Sequence, residues 1–126
     1  MDTAHAITDV VIKFALATLL SGVVGLERER KGRAAGLRTH VLVCLGATLA
    51  MVISDALADE WRQSGATVWL DRGRIAAGIL TGVGFLGAGT IINVGGLHRG
   101  LTTAAMIWFA ATLGIGFLAQ QRLRSS

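Results

Sequence analysis

The chain is 126 residues long, 52% hydrophobic and 16% charged, with a formal net charge of +4, one cysteine and no proline. Soluble domains usually carry about 25% charged residues, whereas here the apolar residues gather into blocks to be tested against the roughly 20 that cross a bilayer. This balance excludes an ordinary soluble enzyme domain and an intramolecular disulfide framework. It also excludes a nucleic-acid binder, because the basic cluster has no aromatic stacking platform beside it.

Four blocks predict an all-α fold, a polytopic transmembrane helical bundle forming one domain over 1–126. The spans fall at about 10–26, 41–57, 75–94 and 101–119, each near the length a bilayer requires. The first block, Val10–Leu26, carries Lys13 near its start, with Asp9 four residues earlier as a helical ion-pair partner. Charged "ERERKGR" follows where a signal peptide would need a small-residue cleavage site, so the block is read as a retained helix.

Five basic residues lie between Arg28 and Arg38, interleaved with Glu27 and Glu29. A basic cluster beside a span is retained in the cytoplasm, which places the N-terminus outside. Arg38 or Arg99 could reach Glu27 on that inner side. The acids Asp2, Asp9, Asp55, Asp59, Glu60 and Asp71 then fall outside, as do Arg122 and Arg124 unless a fifth span follows.

The second block, Val41–Leu57, begins after His40 and contains Asp55 near its end; Cys44 reads as a small packing residue. In the 56–73 loop, Trp61 and Trp69 suit the membrane interface. Asp55, Asp71 and Arg74 gather at the outer ends of spans two and three. Pairing among themselves and an ion or proton site both fit. Magnesium is commonly held by one or two carboxylates that leave it several waters, so Asp55 and Asp71 are the metal candidates and Mg2+ the only cofactor in view. Glu27 lies at the opposite face. His5, His40 and His98 are scattered, and no nucleophile constellation indicates an enzyme.

The third block contains Gly82-x-Gly84-x-x-Gly87, the spacing of a dinucleotide fingerprint. That reading needs a preceding strand, a turn and a carboxylate about twenty residues later, and the sequence supplies none of them. Gly78 and Gly82, or Gly84 and Ala88, instead make small-xxx-small rows that let membrane helices approach closely. Gly87 and Gly89 add further small positions. Either a packing seam or a helix break lining a polar path would use them. Asn93, with His98 nearby, closes the span on the inner side. The fourth block repeats the small-residue pattern more thinly in Ala104, Ala105, Ala111 and Gly114.

Three strings, "GLERERKGRAAGLRTHVLVCLGA", "DRGRIAAGILTGVGFLGAGTII" and "RGLTTAAMIWFAA", cover most of residues 22–111. In combination and order they resemble the MgtC/SapB family of bacterial inner-membrane proteins. The matching positions include Glu27, Arg28, Gly36, Arg38, Thr39, Asp71, Arg74, Gly82, Gly84, Gly87, Gly89, Thr102, Thr103 and Trp108. Gly78 departs from the family pattern, which has glutamine there. The resemblance implies five spans with a cytoplasmic C-terminus, so a fifth span and the soluble C-terminal domain of many members are missing from this sequence.

It further implies adaptation to low magnesium, survival of pathogens inside host cells, and regulation of other membrane machinery, notably the proton-driven ATP synthase. Two expectations follow. One is a non-catalytic regulator in the bacterial inner membrane that forms a homo-oligomer and engages another membrane protein. The other is a magnesium or proton transporter or channel acting as an oligomer.

Overall fold

The computed structural model describes residues 3–67 and 71–125, with side chains described as far as Phe117. Four helices carry the fold: α1 (Thr3–Arg30), α2 (Leu37–Gln63), α3 (Arg72–Ala88) and α4 (Leu101–Ser125). Between α3 and α4 stands a two-stranded antiparallel hairpin, β1 (Ile92–Val94) and β2 (Leu97–Arg99).

The boundaries follow local chemistry. The chain leaves α1 through Gly32 at φ 67°. The amide of Gly32 donates to Glu29 O at 3.0 Å and that of Arg33 to Arg28 O at 3.0 Å, the paired bonds that close a helix around a left-handed glycine. Gly65, at φ 76°, ends α2 the same way, with bonds from Gly65 N to Arg62 O and from Ala66 N to Trp61 O. Asp71 caps α3, its Oδ1 accepting from Gly73 N at 2.8 Å.

Helix α2 packs against α1, α3 and α4, and α4 packs in turn against α1 and α3. The buried face of α1 is Ala17, Ser21, Gly25 and Arg28, three or four residues apart and hence on one stripe. It meets His40, Cys44, Ala47, Thr48, Met51 and Ser54 of α2. Thr103, Ile107, Ala110, Ala111 and Gly114 are the buried contribution of α4 among the described side chains. Small residues dominate these seams, as expected where backbone proximity rather than water exclusion drives association. Large apolar side chains point outward instead: Leu19 is 65% exposed, Val23 66% and Phe85 82%. Such a surface suits lipid.

Helices α1 and α2 are each long and apolar enough to cross a membrane, and Leu101–Phe117 is a shorter apolar stretch of α4. Together the four helices form the all-α membrane bundle the blocks predict. Span three needs correction. It ends at Ala88 rather than 94, which at 1.5 Å per residue leaves α3 about 26 Å long. Residues 92–94 form a strand because Gly95 and Gly96 both take positive φ (57° and 82°), the two-residue turn that matches hairpin twist.

Candidate functional site

Apart from Thr48, whose hydroxyl donates to Cys44 O in mid-helix, the described polar side chains inside the bundle form two clusters near opposite ends of α2. His40 and Asp55 mark them, about 22 Å apart along the helix.

At the His40 end, α1 and α2 meet so closely that a Cβ on Gly25 would lie 2.8 Å from Leu37 Cα. Ser21 Oγ donates to His40 O at 2.8 Å across this seam. His40 is fully buried, and its Nδ1 lies 2.9 Å from Gly36 O. A ring nitrogen facing a carbonyl oxygen must carry the proton, so Nδ1 donates. Nε2 is buried with no hydrogen-bond partner among the described residues.

One turn beyond Gly25, Arg28 is only 9% exposed, and its Nη2 donates to Thr103 Oγ1 at 2.8 Å in the first turn of α4. The Arg28 Nε is also buried without a partner. Neither neighbouring acid forms an ion pair with it among the described residues. Glu27 faces out and accepts from Lys31 at 2.9 Å rather than from Arg38 or Arg99, and Glu29 lies against Gly36.

At the other end, Arg72 Nη2 donates to Asp55 Oδ2 at 2.6 Å, joining α3 to α2. The side chains are 22% and 29% exposed. Asp55 Oδ1, Arg72 Nε and Ser54 Oγ are all buried and without a hydrogen-bond partner among the described residues. The partner is thus Arg72, while Arg74 is exposed and Asp71 serves as the α3 cap. Asp55 is committed to Arg72 through Oδ2, and the exposed Asp71 to Gly73 N through Oδ1. Among the described residues, no group of three His, Cys, Asp or Glu could hold a metal.

The glycines of α3 divide. A Cβ on Gly87 would touch Ala104 of α4 at 3.4 Å, whereas Gly78, Gly82 and Gly84 have nothing within 4 Å. Helix α3 runs unbroken through all four and is capped at Gly89. Gly78 and Gly82 line an apolar groove of about 380 Å³ between α2 and α3, with Gly46 and Ala47 on the facing wall.

A second cavity, about 430 Å³, lies where Thr39 and Val43 approach Ala88, Gly89 and Thr90. Arg38 and Thr102 are exposed, and Asn93 pairs with His98 across the hairpin, also exposed. The Asp9–Lys13 pair forms at 2.6 Å as expected. Trp69 lies outside the described residues, as do the side chains of Arg122 and Arg124.

Sequence reasoning missed Ser21, Ser54 and Arg72. Ala17, Ser21 and Gly25 carry a legible signal in their four-residue spacing. Arg72 does not, since Arg72 and Arg74 are equivalent by proximity alone.

The MgtC family profile matches residues 14–125. The protein YhiD of Escherichia coli (strain K12), whose name provisionally assigns it to magnesium transport, is 45% identical over 106 residues. That alignment covers 83% of this chain and 48% of YhiD. Protein SapB of Bacillus subtilis (strain 168) is 38% identical over 108 residues, 85% of this chain and 46% of SapB. Protein MgtC of Brucella abortus (strain 2308) is 43% identical over 99 residues, 79% of this chain and 38% of that protein. The chain therefore spans less than half the length of these curated relatives. No solved structure matches it.

Proposed function

The chain belongs to the MgtC family, and from that premise we propose a non-catalytic protein of the bacterial inner membrane. It serves adaptation to low magnesium by regulating another membrane protein, such as a proton-driven ATP synthase. The observation that carries this reading is the open groove of Gly46, Gly78 and Gly82 between α2 and α3. Small residues permit close helix approach in lipid, and a Cβ on any of these would meet nothing within 4 Å among the described residues. The Ser21 hydroxyl, by contrast, is spent on a contact between the chain's own helices, donating to His40 O.

The test is Gly82→Leu. It fills the groove without touching the chain's interior, so the variant should fold normally yet stop co-purifying with its membrane partner. Vesicles should also lose the chain's effect on ATP-driven proton pumping. Full co-purification and unchanged pumping by the variant would remove this reading.

A second reading, magnesium or proton transport by an oligomer, draws on Asp55. Its half-buried carboxylate holds Arg72 with one oxygen and leaves the other unpartnered. A carboxylate at membrane depth is costly and usually functional. Reconstituted liposomes should then show magnesium or proton flux that falls in Asp55→Asn; no flux under any imposed gradient excludes it.

A further inference from the structure

Arg28 poses an electrostatic problem that its own chain leaves open. The side chain is nine-tenths buried, and its one side-chain hydrogen bond among the described residues is to a neutral hydroxyl, Thr103 Oγ1 at 2.8 Å. No ion pair among the described residues includes it, and its Nε has no acceptor. A buried charge is normally paired.

Its position sharpens the problem. Thr103 sits in the first turn of α4, where the first amides have no acceptor within the helix and the peptide dipoles present their positive end. The first bond reaching back is from Ala104 N to Gly100 O at 2.8 Å, so the amides of Leu101, Thr102 and Thr103 remain. A guanidinium held against a helix N-terminus places positive beside positive. An anion between them resolves both, and helix N-termini are established anion sites. The Thr103 hydroxyl, accepting from Arg28, retains its own proton to donate.

We propose that Arg28, Thr103 and the first-turn amides of α4 form a binding site for a phosphate group. Guanidinium geometry favours phosphate oxygens, and the exposed Arg30, Lys31, Arg33, Arg38 and Arg99 near this end draw anions toward it. The phosphate belongs either to an anionic lipid headgroup or to free inorganic phosphate.

The experiment uses the full chain in nanodiscs of phosphatidylcholine. Orthophosphate binding is read by equilibrium dialysis and phosphatidylglycerol retention by native mass spectrometry. One of the two probes should bind, and which one identifies the source. Arg28→Gln should weaken that binding about tenfold or more, the scale of a lost charge-assisted bond, and Thr103→Val should weaken it severalfold, while Arg62→Gln, at the opposite end of α2, changes it little.

Thermal unfolding gives a second readout. The bound probe should raise the wild-type Tm and leave that of Arg28→Met unmoved. If Arg28 variants do not fold, Thr103→Val decides. Absence of binding by wild type, or undiminished binding by Arg28→Gln or Thr103→Val, overturns the site.

Discussion

Two sets of glycines share the same four-residue spacing and have opposite surroundings. A Cβ on Gly114 would come 2.6 Å from Cys44 O and 2.8 Å from Thr48 Oγ1, whereas one on Gly78 would meet nothing. Gly114→Leu should therefore destabilise the bundle by about 3 kcal/mol, the upper range for overpacking. Gly78→Leu should change its stability by less than about 0.5 kcal/mol, as for surface sites. Unfolding in mixed micelles measures both. The sequence displays small-xxx-small rows in both spans and cannot rank them, because what lies opposite a glycine is set by another helix. For the same reason the chemistry of Arg28 was legible only as a match of residue type. Its counterpart Thr103 is 75 positions away.

Among the elements, the helices themselves are legible, since hydropathy blocks and bounding glycines and charges act locally. The end of α3 was misplaced because Ile91, Ile92 and Val94 continue the apolar count, and apolar count does not distinguish helix from strand. The Gly95-Gly96 pair between Val94 and Leu97 is the signal that should have prevailed.

Gly96→Val should cost about 1–2 kcal/mol locally, because a side chain disfavours left-handed backbone. Faster proteolysis within 92–99, with unchanged helical circular dichroism, is the expected signature. Asp71→Ala should lower stability by about 1 kcal/mol through loss of the α3 cap. Asp71→Asn, which keeps a capping oxygen, should restore most of it. If instead both variants are equally unstable, the carboxylate charge matters beyond capping.

At the scale of the whole molecule, the membrane bundle follows from composition, and the two internal clusters follow from the fold that composition does not specify. Asp55 and Arg72 tie α2 to α3 across a 17-residue separation. Removing one partner strands a partly buried charge, so Asp55→Asn should be more damaging than the double variant Asp55→Asn/Arg72→Gln. A double-mutant cycle on unfolding free energy checks this; strictly additive losses would mean that the pair is not coupled.

The contact at Gly114 has a mechanical corollary. With backbone against backbone, sliding α4 along α2 by one turn, about 5.4 Å, brings Ala110 or Phe117 where only a hydrogen fits. The two helices thus form a single strut that resists shear. Helix α3 is seated differently, with Gly87 touching α4 at one end, Arg72 tethering it to Asp55 at the other, and the groove opening toward α2 between them. Held at both ends and by Val83 in the core, α3 leaves only its α2-facing side unfilled, and pressure from the lipid side would bear on that gap first.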